Sequence, residues 1–309
     1  MNNEKKSKFT VVIRSAGERT KEACLHLVLQ EVPEEDVHII EKEPFEEALR
    51  ETYRIGMNSS REWLIALDAD VLPRQGFTGE IAKITDSLKN RVFTFKPMIY
   101  DKLFFKHRMA GFRVYQTCYL KEALALIPPN GVETRPESFA VAQMEKKKLK
   151  ALVFEYVAGL HDFEQYYRDI YRKTYFHSYK HMHQLFMVIE DWKKESNRDA
   201  DYKVALKGAL DGLMSLDEPL PDIRFFKKRS KNILKSINLI EKDELSLNSI
   251  ENRVEEILQE AGPFLKKYSW ASINKECNKR GLLPGLIYSF GTLLEISGNK
   301  VKSVISRRA

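Results

Sequence analysis

The chain has 309 residues, 51 of them basic and 44 acidic, for a net charge of +7 and a hydrophobic share of 43%; this excludes a globally disordered or fibrous chain and allows a sizeable core. Cys24, Cys118 and Cys277 are far apart and odd in number, which excludes a disulfide framework or paired zinc spacing and fits a reducing, cytoplasmic setting. No run of about eighteen apolar residues is present to span a bilayer, the apolar stretch before Arg14 is too short for a secretory core, and the charge divides into about +3 over residues 1–150 and about +4 over the rest, against a dedicated nucleic-acid arm.

The first β-branched run, "FTVVI" (Phe9 to Ile13), is closed by "RSAGERT". "KEACLHLVLQEV" then places Ala23, Leu27 and Gln30, and Cys24 with Val28, at helical spacing. A second strand, "VHII" (Val37 to Ile40), ends in acidic residues, and "PFEEALRETYRIGM" repeats Phe45, Ala48, Leu49, Tyr53 and Met57 on one helix face. "WLIAL" (Trp63 to Leu67) is a third strand. Strand, helix, strand, helix, strand predicts a parallel sheet covered on both faces, with ligands beyond the carboxyl ends of its strands. The polar residues fall at those ends: Arg14, Ser15, Glu18 and Arg19, then Glu41 and Glu43, then Asp68 and Asp70.

From Arg91 to Leu126 aromatic and basic residues alternate, predicting further strands, a turn at Gly111 and a short helix. A helical stretch from Pro136 to about Lys150 and the strand "ALVFEYVAG" lead to His161. Beyond it helix-compatible segments dominate, so the expected division is a nucleotide-binding unit over 1–190 and a helical region over 191–309. "RFFKKRSKNILK" (Arg224 to Lys235) carries six basic residues and no acid, and the last dozen residues carry four and none. Such stretches suit either an anionic membrane surface, giving a peripheral contact on its cytoplasmic side, or a solvated helix face. The apolar "LLPGLIYSFGTLLEI", broken by Pro284, Gly285 and Gly291, offers an interfacial contact or packing on the rest of the chain.

"WLIALDADVLP" ends its apolar strand in two aspartates. In an extended segment residues two apart point to one side, so Asp68 and Asp70 can aim at one point, where two carboxylates repel unless a cation intervenes. Hard oxygen ligands suit Mg2+ or Mn2+, which keep coordination positions for phosphate oxygens.

The order "FTVVIRSAGERTKEAC", "VHIIEKE", "ALRETYRIGMNSSREWLIALDADVLP" resembles the amino-terminal half of GT-A fold glycosyltransferases of the family 2 type, over about residues 8–77. The resemblance implies an α/β, Rossmann-like, mostly parallel sheet flanked by helices. It also implies a hexosyltransferase that moves a sugar from a UDP- or GDP-type donor to a glycan or lipid-linked acceptor, with inversion, in bacterial surface polysaccharide assembly. On it, Asp68 and Asp70 are the metal-site aspartates, Glu43 or Glu41 faces the base, and Arg14, Ser15, Glu18 and Arg19 form the donor-binding first loop. Where relatives have proline and an aromatic after the first strand, this chain has Arg14 and Ala16, removing a stacking platform. Downstream, "HRMAGFRVYQTCYLKEAL" resembles the segment lining the sugar pocket, with Arg113 its arginine. "RPESFAVAQMEKKKLKALVFEYVAGLHDF" resembles the base, helix, strand and metal histidine, making Glu137 (or Glu133) the general base and His161 a metal ligand. Two rival readings stay open. A nucleotidyltransferase needs a glycine-rich phosphate loop, and "RSAGERT" has one glycine; a basic nucleic-acid-binding protein would use Arg224 to Lys235.

Overall fold

The computed structural model describes residues 8–88, 91–180, 185, 188–215 and 223–263. The described residues up to Gly262 cluster as one compact unit. The segment Leu282 to Ile296, the basic tail, His181 and His183 lie outside the described residues.

The first three strands are β1 (Phe9–Arg14), β2 (Val37–Ile40) and β3 (Trp63–Asp68), separated by helices α1 (Lys21–Leu29) and α2 (Phe45–Asn58) as the periodicity predicts. β1 is buried along its whole length, as expected of a strand covered on both faces. There follow β4 (Val71–Pro73), α3 (Phe77–Ser87), β5 (Val92–Asp101), β6 (Lys106–Arg108), β7 (Phe112–Gln116), α4 (Leu120–Leu124), α5 (Pro136–Lys146) and β8 (Lys150–His161). The sheet order is β2-β1-β3-β7-β5-β8-β4, with β6 on β5. β1, β2, β3, β5 and β8 all run one way, and β4, β6 and β7 run against them. The sheet is therefore mostly parallel in direction, as expected, with antiparallel β7 inserted between β3 and β5.

This direction places the carboxyl ends of five strands on one edge, and four of those strands end on a titratable residue: Arg14, Asp68, Asp101 and His161. Gly111 makes the turn into β7 at φ +61, and its carbonyl accepts the Asp68 amide at 2.7 Å. A Cβ there would lie 2.5 Å from Val71 Cγ2 and 3.3 Å from Asp68 Oδ2, so the turn needs glycine both for its dihedral and for the close approach of the two segments.

One core lies between the sheet and α2, α4 and α5, built from Val12, Leu49, Tyr53, Leu64, Tyr115, Leu120 and Met144. The aromatic run of β5 is core as well, with Phe93 and Phe95 buried. After β8 come α6 (Tyr167–Lys180), α7 (Ile189–Glu195), α8 (Ala200–Leu213), α9 (Ile223–Ser236) and α10 (Ile250–Ala261). The first four of these enclose a second core of Tyr171, Tyr175, Trp192, Val204, Phe226 and Leu234, to which Leu103 and Phe104 of the β5–β6 connection contribute, while α10 packs against β8. α9, which carries most of the basic stretch, buries Phe226, Ser230 and Leu234 while Lys228, Lys231 and Lys235 are exposed. For those residues the arrangement is that of a solvated helix face.

Candidate functional site

Two charge systems meet where β3 ends. The first is a row across adjacent strands. Arg14 of β1 lies opposite Asp68 of β3 in register, and Ala66 lies opposite Arg113 of β7. Arg14 grips Asp68 Oδ1 through Nε and Nη2, both at 2.8 Å, and donates from Nη1 to Glu137 Oε1 at 2.9 Å. Tyr115 Oη donates to the same Glu137 oxygen at 2.7 Å, and Arg113 Nε approaches Oε2 at 3.2 Å. Burial alone would raise the Glu137 pKa, but Arg113 and Arg14 hold it well below the usual carboxylate range. Burial raises the Asp68 pKa and outweighs the opposing pull of Arg14. Lys96, on β5, joins the row with its pKa pushed down to about 8 by burial and by Arg113.

The second system lies on the far side of the turn. Asp70 Oδ2 is 3.3 Å from both His161 Nε2 and Lys173 Nζ. His161 Nδ1 is 3.0 Å from Asp162 Oδ2 and 3.2 Å from Asp101 Oδ2, and Asp101 in turn pairs with Arg108 Nε at 2.6 Å. Lys173 Nζ also donates to Asp162 Oδ1. Burial disfavours a charged His161, yet Asp162 and Asp70 raise its pKa well above the ordinary value. Likewise burial would raise the Asp70 pKa, and His161 and Lys173 hold it far down.

The structure corrects the geometry expected of the aspartate pair. Asp68 ends β3, but Ala69 and Asp70 form a turn into β4, so the extended alternation that would align the two carboxylates stops between them. Asp68 turns to Arg14 and Asp70 to His161. Among the described residues one group could hold a metal, Asp70, His161 and Asp162, with ligand atoms all within 4.8 Å of one another. Asp162, and not Asp68, is the third member of that group.

The residues of this group fit a divalent ion on two counts. Asp162 Oδ2 is buried and, although His161 Nδ1 lies 3.0 Å away, has no partner in hydrogen-bond geometry, an uncommon state for a carboxylate oxygen. Asp101 stands at His161 Nδ1, the outer-shell placement by which a carboxylate orients an imidazole for ligation through its other nitrogen. Two carboxylates and one imidazole suit Mn2+ or Mg2+ better than a thiophilic metal.

A cleft of about 220 Å³ joins the two systems, lined by Arg14, Ser15, Glu18, Glu43, Phe45, Asp68 and Asp70. A smaller recess of about 50 Å³ adjoins it past Asp70, lined by Asp162, Gln165, Asp169, Arg172 and Lys173. Ser15 Oγ and the Ala16 amide both donate to Glu18 Oε2, at 3.0 and 2.7 Å, which folds the first loop onto the cleft. Burial and Asp70 raise the Glu18 pKa, and burial raises that of Asp169.

Of the residues singled out in the sequence, Arg14, Ser15, Glu18, Glu43, Asp68 and Asp70 come together here. Arg19, Glu41, Arg113, Glu133, Glu137 and His161 do not line this cleft. Arg19 points to the helical region, donating to the carbonyls of Glu164 and Asp243 at 2.8 and 2.5 Å. Glu41 is exposed and pairs with Lys21 at 3.2 Å. Arg113 and Glu137 lie behind Arg14, and Glu137, which accepts from Arg14 and Tyr115 and pairs with Arg113, has the environment of an ion-pair strut. A general base needs the opposite, a pKa near the working pH.

Sequence reasoning missed Phe45, Asp101, Asp162 and Asp169. Phe45 opens α2 at 41% exposure, with the Arg14 guanidinium 5.1 Å from its ring centre. It restores the aromatic surface that the first loop lacks, supplied from the loop after β2.

No family model matches the chain, and no curated protein sequence matches it. Solved structures similar to it include glycosyltransferases. A mannosyltransferase from Pyrobaculum calidifontis, in complex with GDP-Man and Mn2+, shares 11% identity over 75% of this chain and 81% of its own, at TM-score 0.40. A glycosyltransferase involved in glycosylation of the major capsid of PBCV-1 shares 14% identity over 50% of this chain and 94% of its own, at TM-score 0.37. S. aureus TarS 1–349 shares 10% identity over 68% of this chain and 72% of its own, at TM-score 0.32.

Proposed function

We propose that this chain is a GT-A-type, metal-dependent glycosyltransferase, transferring a hexose from a UDP- or GDP-type donor to a glycan or lipid-linked acceptor. The observation that carries this reading is the juxtaposition, at the carboxyl edge of a mostly parallel sheet, of an aromatic-lined cleft and the Asp70–His161–Asp162 group. The base of the donor stacks on Phe45, with Glu43 at its edge, and the first loop from Arg14 to Glu18 closes around the ribose. The diphosphate then extends past Asp70 toward Arg172. Asp70, His161 and Asp162 would hold Mn2+ or Mg2+, which would supply positive charge to the departing diphosphate.

Glu137 serves to hold Arg14 and Arg113. The acceptor hydroxyl gives its proton to a cleft carboxyl whose pKa burial has raised, for which Glu18 and Asp169 are the two candidates. Among the described residues no helix is long and apolar enough to cross a membrane.

The test is donor binding followed calorimetrically across UDP- and GDP-sugars, with and without Mn2+. Asp70→Asn is expected to abolish the metal-dependent part of the affinity, with circular dichroism checking that the variant is folded. Unchanged metal-dependent binding in that variant removes the reading. Release of pyrophosphate instead of nucleoside diphosphate in turnover would assign nucleotidyl transfer.

A further inference from the structure

Two of the three side chains assigned to the metal already share a cation of the protein's own. Lys173 Nζ touches Asp162 Oδ1 and lies 3.3 Å from Asp70 Oδ2, bridging the same two carboxylates that a divalent ion would bridge. We propose that Lys173 is an internal counter-ion that competes with the divalent metal for Asp70 and Asp162, so that this lysine sets how tightly the site takes metal. The inference rests on the metal site of the proposed function and goes beyond it by giving that site a built-in competitor.

The physical reason lies in what the fold puts together. Asp70, Asp162 and Asp101 converge where burial makes unpaired carboxylates costly, and Arg108 covers only Asp101. The ammonium offsets part of the charge on the other two, which the His161 ring also contacts, and it reaches them from α6. Its backbone is fixed. Thr174, the next residue, packs against α8, where a Cβ on Gly208 would lie 2.2 Å from its Oγ1.

The Lys173 side chain is 32% exposed and borders the recess beside Arg172 and Asp169. It can therefore leave the carboxylates for the cleft wall by rotating about its own bonds while α6 stays in place. Two cations cannot both occupy the carboxylates, since like charges a few ångströms apart repel strongly where solvent is partly excluded. Metal entry and lysine departure are then one exchange, and the lysine's attraction to the carboxylates weakens the observed metal affinity.

The experiment is Mn2+ titration of the full chain by calorimetry, for the wild type and for Lys173→Met, Lys173→Gln and Lys173→Arg. Lys173→Met is expected to bind Mn2+ about ten- to a hundredfold more tightly than the wild type, the range over which residues beside metal ligands move affinity. Lys173→Gln, which keeps a hydrogen-bonding head if the methionine variant folds poorly, is expected to shift the same way. Lys173→Arg keeps the charge and is expected to show no gain. Equal or weaker Mn2+ binding in both uncharged variants overturns the proposal.

Asp70→Asn separates this outcome from failure of the site itself. If wild-type Mn2+ binding is lost in Asp70→Asn but unmoved in the lysine variants, only the counter-ion role falls. Binding that survives Asp70→Asn, or no binding by any form of the chain, overturns both.

Discussion

Glu137→Gln tests the row of charges directly, because the substitution keeps volume and one carbonyl acceptor while removing the charge. The native carboxylate is 14% exposed and meets Arg14 at 2.9 Å, Arg113 at 3.2 Å and the Tyr115 hydroxyl at 2.7 Å. Arg14 retains Asp68 in the variant, whereas Arg113 loses its only ion-pair partner among the described residues. Breaking a buried ion pair from one side costs about 3–5 kcal/mol. The amide still accepts from Tyr115, so the lower end applies and about 3 kcal/mol of stability should go at pH 7. The sign of the pH dependence follows from the depressed pKa of Glu137. Its contribution is complete above the unfolded carboxylate value of about 4.3 and is lost as the pH falls below it toward the folded value. Urea unfolding of both proteins should therefore show a constant gap between pH 8 and pH 5 and a narrowing one at pH 3.5. A gap under about 1 kcal/mol at pH 7, with turnover nonetheless abolished, would refute the strut and restore Glu137 as the base.

Two further outcomes are expected. Phe45→Ala should weaken donor binding by about 1–3 kcal/mol, the usual worth of a base stacked on an aromatic ring, and leave the melting temperature unchanged because the ring is 41% exposed; isothermal titration with the preferred nucleotide measures it, and unaltered affinity places the base elsewhere. Gly111→Ala should cost about 2–4 kcal/mol, since the new Cβ meets Val71 Cγ2 at 2.5 Å on a backbone at φ +61, and chemical denaturation showing less than about 1 kcal/mol would mean that the turn relaxes freely.

The strand and helix order up to β3 was legible because both signals were local. Runs such as "FTVVI" and "WLIAL" are strands buried on both faces, and the spacing of Ala48, Leu49 and Tyr53 is a helix facing them. The direction of the sheet was legible too, and with it the edge where Arg14, Asp68 and His161 collect. The fate of the aspartate pair was not. Two residues apart, Asp68 and Asp70 share a face only if the strand continues, and the turn at Ala69 is set by the pairing of β4 with β8, nearly 90 residues downstream. Asp101 was hidden for the same reason, since only the register of β5 against β8 brings it opposite His161. Phe45 looked like one more apolar helix position. Its place at the first residue of α2, where the helix has not yet reached the core, is what leaves it facing the cleft.

The helical region after β8 is better understood as a wall of the site than as an appendage. Glu241 accepts from the amides of Tyr167 and Arg168 at 2.7 and 3.1 Å, satisfying two donors at the start of α6. Lys242 beside it pairs with Glu164 at 3.0 Å and Asp201 at 2.5 Å. Arg19 from the first loop reaches the same Glu164 and the Asp243 carbonyl. The segment from Glu241 to Asp243 thus pins the start of α6 and the loop after β1 to one another. Those two pieces carry Lys173 and Asp169 on one side of the cleft and Ser15 and Glu18 on the other. Arg19, expected at the donor, instead braces the first loop against Glu164, just before α6, and Asp243.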